Sequence, residues 1–167
     1  MQGSAIGYGA RRGKRPPTQL RTDRTYAYPF AVAELWERLQ RVEDYRRWWP
    51  WLHDFDGDAL AAGATWACTV QPPLPYSVRF TVTFSEVVDQ TRIATTIGGD
   101  IAGTATLHVS PDADGSRLRL VAELAPQKRS MVALSIVARP LVTFGHHWVL
   151  DNGARQFAEG LGGRAIE

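Results

Sequence analysis

The stretch from Ser130 to Leu161 constrains the fold more than any other part of the sequence. It runs for about 30 residues, and Pro140 is its one turn signal. A helix of that length would be roughly 45 Å long. The first half is apolar on nearly every side, with Met131, Val132, Leu134, Ile136, Val137, Leu141, Val142 and Phe144. A helix that is apolar all round has to be buried, so we expect the preceding chain to wrap around it.

The preceding chain begins with one strand and two short helices. Leu20–Tyr28 has strand character and ends at Pro29, which cannot donate to a sheet but suits the first turn of a helix. In Phe30–Leu39 the apolar residues recur at the spacing of a helix that buries one face. A second short helix is predicted over Val42–Arg47. Three tryptophans then fall within residues 48–51, and we expect them to cap a core or to roof a pocket.

From Trp51 to Leu124 the apolar residues alternate with a period of two, as in strands with one buried face. In the clearest strand, Tyr76–Val88, one face carries Tyr76, Val78, Phe80, Val82 and Phe84. Short turns near residues 89–90, 98–100 and 111–115 join consecutive strands into a meander. The expected fold class is α+β. A curved antiparallel sheet wraps around a long C-terminal helix, and two short helices follow the first strand.

Charge is concentrated at the N-terminus. Residues 1–24 hold six basic residues and one acidic residue, a net charge of +5, whereas the whole chain carries +2. Residues 25–167 therefore carry −3. Residues 1–18 are predicted to be a disordered basic tail, 19–162 one domain, and 163–167 a C-terminal tail. Without interleaved aromatic residues the basic tail favours a solvated extension over a nucleic-acid-binding arm.

Cysteine content and hydropathy limit the cellular locations that we expect for the protein. The single cysteine, Cys68, excludes an internal disulfide framework. No run of 18 apolar residues is present, so we expect no membrane span. The basic residues near the N-terminus are followed by Pro16 and Pro17 instead of the apolar core of an export signal. The expected location is the cytoplasm.

Several segments, in this order, resemble the START-like (Bet v 1-like, SRPBCC) superfamily, and most closely its bacterial polyketide cyclase/dehydrase proteins. The resemblance covers Leu20 to Leu161. The segments that carry it are Tyr45-Arg-Arg-Trp-Trp-Pro-Trp51, Gly63-Ala-Thr-Trp66, Asp100-Ile-Ala-Gly103 and Gly145-His-His-Trp148 with Asn152-Gly153. It implies the helix-grip fold and a ligand-binding role for the predicted domain 19–162. It also implies a deep cavity between the sheet and the terminal helix that holds lipids, polyketides or other hydrophobic small molecules.

The residues support a cavity on separate grounds, because the predicted inward faces are rich in small side chains such as Gly103, Ala105 and Ala122. Small residues on both sides of a layer leave space unless larger ones compensate. The tryptophans could fill that space or roof a pocket, and both alternatives stay open. The candidate ligand-binding residues are Tyr45, Trp49, Trp66, Cys68, Tyr76, Val78, Phe80, Phe84, Leu107, Leu141, Trp148 and Asn152.

The sequence assigns no catalytic residue, no metal ligand and no cofactor. His146 and His147 are adjacent, so they point about 100° apart and cannot chelate one metal as an i, i+4 pair can. A histidine on the helix surface, or one bonded to a backbone carbonyl, is favoured over a general acid/base in the cavity. Cys68 is interpreted as a small buried hydrophobe, because no cation lies near it in sequence to lower its pKa.

Three functions remain open, in order of preference. The first is a protein that binds or carries a hydrophobic small molecule without chemistry of its own. The second is a polyketide cyclase or aromatase in which Tyr76 or a helix histidine moves a proton. The third is an interaction module that docks a partner or a second copy through Met131–Phe144. No nucleic-acid partner is expected, and the protein is expected to be a monomer or a homodimer.

Overall fold

The computed structural model describes residues 19–132 and 139–160, with the side chains of 139–141 omitted. The predicted tails, 1–18 and 163–167, lie outside the described residues, so those boundaries stay predictions. Seven strands form one antiparallel sheet: β1 (Leu20–Tyr28), β2 (Leu52–His53), β3 (Thr65–Val70), β4 (Val78–Val88), β5 (Arg92–Gly99), β6 (Ile101–Asp112) and β7 (Gly115–Pro126). The helices are α1 (Val32–Leu39), a 3₁₀ helix (Val42–Asp44), α2 (Tyr45–Trp48) and α3 (Arg139–Gly160).

The sheet is an antiparallel meander of β2 to β7, with the first strand added beside the last. The strand order is β1-β7-β6-β5-β4-β3-β2, so β1 returns to pair with the last strand, and β1 and β2 form the two edges. Tight turns carry positive φ angles at Gln90 (52°) and Gly99 (128°), where the chain reverses between strands. The sheet curls into a half-barrel with α3 against its concave face. The predicted helix-grip architecture is confirmed.

One β-bulge lies within the sheet, in β4. Phe84 pairs with Thr95, but Glu86 pairs with Ala94, so Ser85 is the extra residue on β4. The bulge shifts the alternation by one position. Strict alternation from Phe84 would place Glu86 against the core. Because of the bulge, Val87, which lies opposite Ile93, packs there instead.

A close approach of two strands depends on Gly103 in β6. Its φ angle is +153°, and a Cβ atom at this position would overlap the backbone carbonyl oxygen of Glu123 in β7. Glycine alone meets both conditions without strain. This position lets the two longest strands come together where the sheet curls.

The short helices close one end of the half-barrel. α1 buries Leu35, Trp36 and Leu39, which share one helix face, and it begins at Val32, two residues later than predicted. The predicted second helix is a 3₁₀ turn followed by the single turn of α2, which buries Tyr45 and Trp48. Both elements belong to the main hydrophobic core, together with β1, β4 and α3.

The C-terminal helix is described over 139–160, and residues 129–132 are helical as well. Residues 133–138, which join the two in the predicted single helix, and Leu161 lie outside the described residues. Of the apolar segment Met131–Phe144, Met131 and Val142 are buried, whereas Phe144 is 52% exposed. None of the helices that the structure describes is long and apolar enough to cross a bilayer.

The loop between β3 and β4 packs on α3 at a glycine. A Cβ atom on Gly145 would overlap the hydroxyl of Tyr76 and come within 3.1 Å of Leu74 Cδ1. Gly145 is therefore the point where the 71–77 loop rests on the helix. This contact fixes the start of the helix against the sheet.

Candidate ligand-binding cavity

A cavity of about 360 Å³ lies between the concave face of the sheet and α3. Twenty-seven described residues line it, and ten of them are aromatic. None of the described lining residues is Asp, Glu, Lys, Arg or His. An apolar hollow of this size falls in the range of small-molecule pockets.

The sheet side of the cavity follows the alternation of the strands. Trp66 in β3 lies opposite Val82 in β4, and Cys68 lies opposite Phe80, so these four side chains share one face. Trp66 and Phe84 make a close ring contact with centroids 4.3 Å apart. The lining residues of the strands are Tyr26, Tyr28, Leu52, Trp66, Cys68, Val70, Phe80, Val82, Phe84, Ile93, Thr95, Ile97, Ala105, Leu107, Leu118 and Leu120.

The helix side presents one face of α3. Its lining residues recur at helical spacing and are Val149, Leu150, Gly153, Ala154 and Phe157. Gly153 and Ala154 have the smallest side chains of this face and leave room in front of it. Phe157, which is 2% exposed, packs edge-on against Tyr28 from the opposite wall.

An aromatic cluster closes the end of the cavity near α1 and α2. Tyr45 is its centre, with ring contacts of 4.7 Å to Trp49, 5.9 Å to Phe55 and 5.8 Å to Trp66. The rings of Trp49 and Trp51 lie 6.0 Å apart. Such edge and offset contacts fix the rings as a rigid wall. The tryptophans of residues 48–51 are thus partly core, through Trp48, and partly wall.

Most polar atoms of the wall are already bonded to the protein. Trp49 Nε1 donates to the carbonyl oxygen of Gly153 at 2.9 Å, and Trp51 Nε1 donates to Gln156 Oε1 at 2.7 Å. Trp66 Nε1 donates to the carbonyl oxygen of Ala59 at 2.9 Å. The Tyr45 hydroxyl donates to the carbonyl oxygen of Leu39 at 2.5 Å. These bonds attach the wall to α3, to the end of α1 and to the connection between β2 and β3.

Three ionisable groups of the wall stay neutral. Burial raises the pKa values of the Tyr28 and Tyr45 hydroxyls above their usual range. Burial, assisted by Asp56, raises the pKa of the Cys68 thiol to about 12. At neutral pH all three groups are protonated, so they can donate a proton in a hydrogen bond but cannot act as bases.

Polar contacts also attach α3 to β1. Thr22 Oγ1 and His146 Nε2 share a hydrogen bond of 2.6 Å, and Arg24 Nη1 donates to Asp151 Oδ1 at 2.6 Å. Burial, with additional repulsion from His147 and Arg24, lowers the pKa of His146 to about 4. His146 is therefore neutral at physiological pH. It is a structural contact between helix and sheet and does not line the cavity.

The family model for polyketide cyclase / dehydrase and lipid transport proteins matches residues 19–158 of the sequence. The chain belongs to this family. The resemblance that the sequence motifs indicated is thereby confirmed, and the matched range spans the whole sheet and nearly all of the terminal helix. No curated protein matches the sequence.

Solved structures of distant sequence share the fold. A protein of unknown function from Staphylococcus aureus is 10% identical with a TM-score of 0.61, over 86% of this chain and 96% of that one. A Mycobacterium smegmatis protein is 14% identical with a TM-score of 0.62, over 87% and 92%. Ara h 8.0201 is 11% identical with a TM-score of 0.51, over 66% and 80%. At these identities the likeness shows the fold alone.

Seven of the twelve candidate residues lie in the wall of this family member's cavity. They are Tyr45, Trp49, Trp66, Cys68, Phe80, Phe84 and Leu107. Their contact with a ligand remains a prediction. The side chain of Leu141 lies outside the described residues.

The other four candidates are placed outside the wall. Val78 has inward parity but sits at the start of β4, beyond the cavity. Tyr76 precedes β4 and rests on Gly145. Trp148 packs edge-on against Trp51, and Asn152 Nδ2 donates to the carbonyl oxygen of Trp148 at 2.9 Å. Both helix residues lie off the face that lines the cavity.

Twenty of the 27 described wall residues were not among the twelve candidates, and they include every lining residue of α3. Two further groups lie on β1 and in a loop. Tyr26 and Tyr28 occupy alternate positions of β1, a period-two signal that was available in the sequence. Phe55 and Leu60 lie in the connection between β2 and β3, which folds inward with Phe55 only 3% exposed. That connection has no periodicity, so no pattern marks its buried side chains.

Among the described residues no cluster of three potential metal ligands occurs.

Proposed function

We propose that the protein binds a hydrophobic small molecule, such as a lipid, a polyketide or an aromatic compound, in the cavity between the sheet and α3. The observation that carries this proposal is a hollow of about 360 Å³ with an apolar wall. At the rate measured for engineered cavities, an empty hollow of this volume costs up to roughly 9 kcal/mol. That is comparable to the whole net stability of a domain, about 5–15 kcal/mol. The hollow is partly open and can admit water, so the actual cost is smaller. Water finds few hydrogen-bond partners on this apolar wall, which favours an apolar ligand as the occupant.

The chemistry of the wall favours binding over catalysis. Cyclisation or dehydration of a polyketide needs a group that accepts a proton. The raised pKa values of Tyr28, Tyr45 and Cys68 keep these groups protonated. The described wall holds no histidine and no carboxylate that could take their place. Polyketide cyclase activity, which the family description includes, is therefore the second candidate function.

Titration with N-phenyl-1-naphthylamine, an uncharged dye that fluoresces in apolar surroundings, tests this proposal. We expect saturable binding of one dye per chain, with a Kd in roughly the micromolar range. Protein unfolded in urea is the control and should give no saturable signal. A linear rise without saturation in the folded protein would count against a binding cavity. Native mass spectrometry of the same sample would show any molecule retained from purification.

A further inference from the structure

The wall of the cavity offers nothing to a charged ligand. The described lining residues carry no charge. Arg24, which shares the inward face of β1 with Tyr26, pairs with Asp151 of α3 at 2.6 Å. A carboxylate or phosphate that entered would lose its hydration without gaining a partner. The wall therefore selects against anions.

The hydrogen-bond donors of the wall are mostly committed to the protein. The indole N–H groups of Trp49, Trp51 and Trp66 each donate to a carbonyl or amide oxygen of the chain. The hydroxyls of Tyr45 and Thr95 donate to the carbonyl oxygens of Leu39 and Ala105. A ligand could use these donors only by breaking bonds that hold the wall together.

The hydroxyl of Tyr28 differs from these groups. Tyr28 is 3% exposed and lines the cavity, and its hydroxyl makes no hydrogen bond to any residue within 19–132 or 142–160. Its ring is fixed edge-on against Phe157, with centroids 5.7 Å apart. Its raised pKa keeps the hydroxyl protonated. The hydroxyl oxygen is not sealed inside the protein, so a molecule in the cavity can reach it. A donor in so apolar a wall is costly unless something accepts its hydrogen bond.

We infer that the cavity takes an uncharged molecule with an oxygen or nitrogen acceptor that receives a hydrogen bond from the Tyr28 hydroxyl. Ketones, esters, amides and ethers on a hydrophobic skeleton fit this description, whereas free carboxylates, phosphates and sulfates do not. This inference rests on the proposed function, because it states which hydrophobic molecules the same cavity prefers.

Three naphthalene derivatives of similar size test the inference by displacement of N-phenyl-1-naphthylamine from the full chain at neutral pH. 2-Acetylnaphthalene is neutral with an acceptor, 2-naphthoate has the same shape with a charge, and naphthalene has neither. We expect the ketone to bind at least about tenfold more tightly than the carboxylate. Tyr28→Phe should weaken binding of the ketone about three- to tenfold and leave naphthalene unchanged. Tyr76→Phe, outside the wall, is the matched control and should change neither.

The outcomes separate this inference from the proposed function. The inference is overturned if the carboxylate competes as well as the ketone, or if Tyr28→Phe affects ketone and naphthalene equally. In both cases the compounds still bind, and the proposed function stands. Failure of the dye and all three compounds to bind would refute the proposed function itself. The comparison of ketone with carboxylate needs no variant, so it decides the charge preference even if Tyr28→Phe does not fold.

Discussion

Replacement of Ala105 by phenylalanine is expected to raise the free energy of unfolding by about 1 kcal/mol, and to weaken binding of N-phenyl-1-naphthylamine at least about tenfold. Ala105 lies in the middle of β6 and faces the cavity. A phenyl ring at this position fills empty space and buries apolar area that the alanine leaves unused. The same ring occupies the room that the dye needs. Urea unfolding and dye titration measure the two effects.

The sign of the stability change is the informative part of this experiment. In a solidly packed interior, an added ring forces its neighbours apart and costs about 1–3 kcal/mol. Thr104→Phe is the control, because the neighbouring residue is exposed on the opposite face of the same strand. We expect it to leave dye binding unchanged. A destabilised Ala105→Phe protein would mean that the space beside this residue is already filled.

The stability of the protein is expected to fall by about 2 kcal/mol between pH 7 and about pH 4.5, through His146 alone. The pKa of His146 is lowered from 6.5 to about 4 by burial, by His147 and by Arg24, against the opposing effect of Asp151. Between these two pKa values the unfolded chain binds a proton that the folded protein excludes. Stability is therefore present above the unfolded pKa and is lost as the pH falls toward 4.

Urea unfolding at several pH values measures this loss of stability. Two variants test whether His146 causes it. In His146→Gln the titrating group is absent while an amide remains near Thr22 Oγ1, so the slope of stability against pH should become shallow. His147→Gln changes an exposed ring whose centroid lies 6.0 Å from that of His146, and should keep most of the slope. Equal slopes in the wild-type and His146→Gln proteins would show that His146 is not held neutral by the fold.

The sequence predicted the fold well because its strands alternate cleanly and its short turns permit few topologies. The inward positions of β3 and of β4 before the bulge follow strict alternation from Trp66 to Val70 and from Val78 to Phe84. The register shift at Ser85 could not be foreseen, because a bulge depends on the pairing with β5. The sequence also left open whether the tryptophans of residues 48–51 would fill the interior.

The candidate site was predictable where a strand fixes the direction of a side chain. Trp66, Cys68, Phe80 and Phe84 met that condition and line the cavity. The loop residue Tyr76 did not, because its position is set by the contact with Gly145. The hydrogen-bond partner of His146 also depends on the tertiary structure. The sequence favoured a structural role for this histidine, and the geometry fits that role. The hydrogen bond, however, is made with the hydroxyl of Thr22, 124 positions away in sequence.

A crystal structure of the protein crystallised with 2-bromonaphthalene tests the central claim, that the cavity binds a hydrophobic molecule, most directly. The anomalous signal of bromine locates the ligand without interpretation of weak density. The account predicts one bromine site between the sheet and α3, within van der Waals contact of Trp66, Phe84 and Phe157. A cavity closed by its own side chains, or bromine bound only on the outer surface, would contradict it.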